Sequence, residues 1–342
     1  MLKELFNNAA TPLYPRKKKL RPLGSISDFV REEMPGMKPD FNRLRIIVDA
    51  VKDIEIDPAN AALSILDIKM LHNFCIISAE KDERFESLRE ERAEMPIPER
   101  RQSGRAPVWH LTYEDVILNN PPEDMRTFLT GPEGQSEADF YRGHQLIEER
   151  LQSAIDALKR VRQGIEMEKN LGAALVDVKA VKEGMFAFRK DLKREHFAAF
   201  KPYFSTHAVT QESGPSGAFS GKIPCVDILL FGREAPAEQM KYLNGNQKYF
   251  PARDFAEAQK FAAADNIFDA LAKKGTGGKC FELASEIARA MLFFRHAHMG
   301  TVMHHIGKGG QDSATGNGIE DYLKSRIKNA QKVIEKMELK HG

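Results

Sequence analysis

Two of the ten histidines stand where an imidazole has to be accounted for. His144 falls in the apolar stripe Phe140, His144, Ile147, Leu151, Ile155, Leu158. His298 falls in the stripe Ala284, Ile287, Met291, Phe294, His298, Val302. Spacings of three and four residues put each ring on the inward side of a helix. An inward neutral imidazole needs a partner for its N–H and for its lone pair. A core hydrogen bond meets that need. So does a metal or a haem iron, which bundle interiors commonly hold. The cluster His296, His298, His304, His305 raises zinc as a further reading. On one helix, however, His298 and His305 lie two turns apart, and His296 and His298 point about 200° apart. No HExxH occurs, so a histidine-only zinc or di-iron site is disfavoured.

Two glycine-rich stretches are candidates for close backbone approach to an anion or a flat ligand. They are Gly214–Gly221, which contains Ser216 and Gly217, and Thr315-Gly316-Asn317-Gly318. Taken alone, each reads as a plain connection. Gly275-Thr-Gly-Gly-Lys279 lacks the phosphate-loop spacing and follows no buried strand. Three cysteines, Cys75, Cys225 and Cys280, are too few for a disulfide framework or a four-cysteine zinc site. Cys225 and Cys280 are flanked by apolar residues and read as buried and inert. No serine sits in a nucleophile elbow with a Ser/His/Asp order.

The elements that must position these residues are nearly all helical. Residues to about 40 read as irregular, with five prolines and the basic run Arg16–Lys19, a solvated arm rather than a nucleic-acid contact. Residues 41–81 read as two helices. Residues 82–105, dense in Glu and Arg and ending in prolines and a glycine, mark the boundary between a unit over 1–105 and a larger one over 106–342. An extended piece is expected at Trp109–Leu118. A long helix follows, with Ser136 as N-cap and Asp139 three residues on. Further helices are expected at about 171–190, 195–204, 225–232, 254–272, 281–306 and 319–338, with loops at 205–224 and 307–318. Strand patterns are scarce, so the fold class is all-α.

Length and composition bound the function. The chain has 342 residues, enough at roughly 100–200 per domain for two units and a buried cofactor. The net charge is only +2, so no global field attracts nucleic acid or anionic lipid. No apolar run of roughly 20 residues and no secretory cleavage pattern stands out, which makes a cytoplasmic protein the expectation.

At this point several segments resemble one family. Phe294-Arg-His-Ala-His298, with Ile306 and Gly307 eight and nine residues beyond the histidine, resembles the proximal-histidine helix of the haem-dependent aromatic dioxygenases. That family comprises tryptophan 2,3-dioxygenase, indoleamine 2,3-dioxygenase and the pyrrolnitrin-biosynthesis haem enzyme. Thr315-Gly316-Asn317-Gly318 before Tyr322-Leu323 is similar to its Gly-Thr-Gly-Gly loop, departing at the first and fourth positions. Ser213–Ser220 resembles the loop over its haem pocket, followed by Leu229-Leu230-Phe231-Gly232 in place of Leu-Leu-x-Gly. Phe140-Tyr-Arg-Gly-His144-Gln145 resembles the distal helix of tryptophan 2,3-dioxygenase. Phe197–Phe204 resembles the helix that carries the substrate-carboxylate arginine, with Lys201 in its place. The resemblance covers about residues 106–342.

The resemblance implies an all-α, haem-binding bundle of the indoleamine/tryptophan dioxygenase type, with a smaller N-terminal unit. It implies haem b, iron protoporphyrin IX, with His298 as proximal iron ligand and Ser216, Gly217 and Phe140 lining the cofactor. It implies O₂ as co-substrate and His144 as the catalytic histidine. Phe197, Lys201, Thr315 and Gly316 would bind a small aromatic substrate, tryptophan or a modified tryptophan, cleaved across the 2,3 bond to an N-formylkynurenine-type product. Lysine lacks the planar fork of arginine, which leaves room for a substrate other than tryptophan itself. The alternatives are a pyrrolnitrin-type or monooxygenase-type ring modification in secondary metabolism, and a non-catalytic haem sensor. Neither a nucleic-acid nor a membrane partner is implied, and a homo-oligomer is left open.

Overall fold

The computed structural model describes residues 20–90, 108, 110–205, 212–232, 237–307 and 319–341. Helices account for 78% of it, and no strand occurs among the described residues, so the all-α class holds. Chain contacts divide it into two units. One takes its described residues from within Lys3–Arg142 and Leu192–Ala218, the other from within Gly143–Asp191 and Phe219–Gly342. The boundary expected near residue 105 lies outside the described residues. Residues 110–142 share a unit with the helices that precede them.

In the first unit, Pro22 and Pro35 leave a proline-free window between them, and there the chain coils into α1 (Ser25–Asp28), continued by a wide turn over Phe29–Glu33. Ile26, Phe29, Val30 and Met34 are buried, so part of the expected arm is core. α2 (Phe41–Lys52) is capped by Asp40, whose side chain accepts the Arg43 N–H at 2.8 Å. α3 (Ala61–Lys81) is buried nearly all round, and α4 (Glu86–Glu90) follows it. By length and composition the segment Pro58–Lys81 would suffice to cross a membrane, contrary to the expectation that no such run occurs; 72% of its apolar window is buried within the protein. Two of its buried charged groups are paired here. Asp67 meets Arg126 at 2.9 Å, and Lys69 meets Asp115 at 2.7 Å. Asp115 also accepts the backbone N–H and hydroxyl of Thr112, which curls the chain into a helical turn at Glu114–Leu118 where an extended piece was expected.

α5 (Gly131–Gln163) starts five residues before the expected cap. Pro132 takes the first turn, where its missing N–H costs nothing. Ser136 lies inside the helix, and its Oγ sits 2.7 Å from His196 Nδ1 on α7. The helices after it are α6 (Met167–Asp191) in the second unit and α7 (Arg194–Phe200) in the first.

The rest of the second unit runs α8 (Lys222–Phe231), α9 (Ala237–Gly245), α10 (Ala252–Ala262), α11 (Ile267–Lys273), α12 (Gly278–His305) and α13 (Ile319–His341). One helix was expected over 254–272. Asn266 splits it, because its side chain caps α11 by accepting the Asp269 N–H at 2.8 Å. α8 stops at Gly232, whose φ of 55° an L side chain rarely adopts and whose α-carbon faces Asn266. α6 and α12 pack against each other along an extended face.

Candidate functional site

The site in the second unit is built on α12. Ala284, Ile287, Ala288, Met291, Phe294, Arg295, Ala297 and Thr301 form its buried face. His298 lies at the edge of that face, half-buried, one turn beyond Phe294. The two rings are nearly parallel, with centroids 6.0 Å apart. Arg295 is anchored from below: it pairs with Asp227 of α8 and donates to the Met291 carbonyl at 3.2 Å. Thr301 fixes the next turn by hydrogen-bonding the Met185 carbonyl of α6 at 3.0 Å.

Burial, then the neighbouring His144, then the Arg295 guanidinium push the His298 imidazole down to about 4. Each disfavours a second positive charge. His298 is therefore neutral at pH 7, and among the described residues no hydrogen bond reaches its ring. Neutral and unbonded is the state in which an imidazole offers a lone pair to a metal.

His144, on α5, faces the same region closely enough for its charge to bear on His298. Its ring centroid lies 4.9 Å from that of Phe188 on α6. Gly143 makes this approach feasible: a β-carbon there would stand 2.3 Å from Phe188 Cζ. Beside this lies a polar network. Ser220 donates to Glu148, and Lys222 reaches Glu148 at 3.5 Å and Asp254 at 3.3 Å. Cys225 is buried next to it, and burial raises its thiol well above the ordinary range, in line with an inert cysteine.

In the first unit, Phe140 and Phe197 come together, with centroids 5.9 Å apart. Phe200 and Phe204 lie 5.5 and 6.3 Å from Phe140 and complete an aromatic cluster. Lys201 is half-buried at its edge in sequence and makes no ion pair among the described residues. Ser216 Oγ accepts the Ala218 N–H at 3.2 Å, and Gly217 opens a single turn to Phe219. Thr315 and Gly316 lie outside the described residues. Next to the cluster, Glu137 accepts the Tyr141 hydroxyl at 2.7 Å and the N–H groups of Phe128 and Leu129 at 2.9 and 3.0 Å. Complete burial pushes its carboxyl up to about 7, against the pull of those three donors.

The structure thus brings His144 to His298, and Phe140 to Phe197. Sequence reasoning missed Asp227 and Phe188, and gave no role to Arg295 and Gly143 although both stand in the quoted motifs. A glycine inside an otherwise helical pattern was the one available signal among them. Among the described residues no group of three or more His, Cys, Asp or Glu side chains is placed to hold a metal ion by itself. No protein-family model matches the chain, and no curated protein matches it.

Proposed function

We propose that this chain is a haem-dependent oxygenase that inserts O₂ into an indole or related aromatic amino acid, tryptophan or a modified tryptophan in the simplest case. The observation that supports it most is His298: a neutral, unbonded imidazole on the inner edge of a long helix, with a second imidazole facing its surroundings. A haem iron would be held by a neutral histidine of this kind. The residues therefore fit the group, and the absence of a Cys-x-x-Cys-His motif makes it haem b rather than a covalently attached haem.

A bound haem would supply the reduced iron that takes up O₂ and the oxidising power for ring cleavage. The chain's own residues would position. His298 would give its lone pair to the iron. Arg295, tied to Asp227, would hold the supporting turn of α12 in register and keep His298 from taking a proton. His144 would accept the indole N–H and so orient the ring to be attacked. Phe140 and Phe197 have the chemistry to wall a flat aromatic ring. Lys201 carries a charge that would meet a carboxylate as a point contact, without the bidentate grip of arginine. The aromatic substrate class rests on the resemblance of these segments to the haem-dependent aromatic dioxygenases.

The test is an absorption spectrum of the protein expressed with haem supply, ferric and then reduced under CO. A Soret band that shifts on CO and is lost in His298→Ala is the expected result. Turnover with tryptophan should add both atoms of one ¹⁸O₂ to the product. A colourless protein that takes up no added haemin overturns the reading. One labelled atom would make the enzyme a monooxygenase; haem without any product would make the protein a sensor.

A further inference from the structure

A second cleft lies on the same pair of helices, turned away from His298. It encloses about 360 Å³ between α6 and α12 and is lined by Lys182, Phe186, Arg189, Phe293, His296 and Gly300. Residues 182, 186 and 189 recur at helical spacing on α6, as 293, 296 and 300 do on α12, so each set forms one stripe. His296 precedes His298 by two residues, which turns the cleft about 200° from the His298 face. Its size is at the small end for small-molecule sites.

Two features of the lining are unusual for a solvated helix seam. Phe186 and Phe293 are 42% and 61% exposed, so two aromatic rings stand in water where burial would be favourable. The charged side chains that line the cleft are all basic. Lys182 is offset by Glu183 at 2.9 Å, but no carboxylate pairs with Arg189 or His296 among the described residues. Gly300 lies beside Arg189: a β-carbon there would stand 3.5 Å from its Nη1, in ordinary contact. The cleft offers apolar walls and a guanidinium fork with no anion to receive.

From this juxtaposition we propose that the cleft binds a small aromatic carboxylate, the ring lying between Phe186 and Phe293 and the carboxylate on Arg189. The site stands apart from haem binding, and its test does not involve haem. The probe is naphthalene-2-carboxylate, titrated by its own fluorescence anisotropy into the full chain, with naphthalene-2-carboxamide as its uncharged twin. Saturable one-to-one binding of the carboxylate is expected, with the amide at least fivefold weaker. Arg189→Gln should weaken the carboxylate at least fivefold and leave the amide unchanged; Phe293→Ser should weaken both. Both side chains are exposed, so helicity by circular dichroism should be that of the parent in each variant. No saturable binding up to millimolar probe overturns the proposal. So does equal affinity for acid and amide, or parent-like binding by both variants, which would put the probe elsewhere.

Discussion

Glu137 is a carboxyl whose surroundings set a pH dependence for the first unit. In the folded chain it holds its proton up to about pH 7, against an ordinary value of 4.5. Between those values the folded state binds more protons than the unfolded one, so stability falls as pH rises through the window. The full span amounts to about 3 kcal/mol. Glu137→Gln cannot ionise, so the stability difference between parent and variant should shift by about that amount against the parent from pH 4.5 to 7.5, in urea melts across the range. A constant difference would mean that Glu137 is ionised throughout. His298 has the opposite sign. Its folded value of about 4 lies below the ordinary 6.5, so its contribution is lost as pH falls from 6.5 towards 4.

At the scale of elements, the site depends on how closely α5 approaches α6. Gly143 is buried against the Phe188 ring, which is itself 2% exposed, and a β-carbon at Gly143 would stand 2.3 Å from its Cζ. Gly143→Ala should gain about 1 kcal/mol of helix propensity but lose more to the clash, a net cost of about 1–2 kcal/mol. Adding Phe188→Leu should recover part of that loss, and the non-additivity is read from a double-mutant cycle of urea midpoints. Additive effects would show that the two helices separate freely at this point. The periodicity of α5 and α12 was legible in the sequence because a stripe of apolar residues at three- and four-residue spacing has one helical reading. The starts were not: Ser136 is a good cap by type, yet Gly131 and Pro132 begin the helix, and the serine hydroxyl is taken by His196.

For the whole molecule, ligand binding and folding are linked. Haem that binds only the folded chain stabilises it by about 2.7 kcal/mol at a hundredfold excess over Kd. The melting temperature of the parent should therefore climb with haemin concentration, while that of His298→Ala should stay flat. A parallel climb in both would assign the haem to another residue. Because the contacts form two units, the scan should also be read for two transitions, with the haemin-dependent one belonging to the unit that holds α12.

The all-α class and the long helices followed from the sequence alone, since periodicity and composition act through local geometry, whereas His144 and His298, expected on inward faces, are both half-buried. The boundaries near residue 136 and between 262 and 267, and the helical turn at Glu114–Leu118, were decided by side chains that meet across the chain or cap it locally, which no apolar pattern encodes. The state of His298 was decided only by the tertiary structure. Burial, His144 and Arg295 come from three different stretches of chain, and their joint effect on one proton exists only once the helices are packed. The same holds for the cleft between α6 and α12: each stripe is readable on its own helix, but two exposed rings and an arginine unpaired among the described residues come to line one cleft only when the stripes are set side by side.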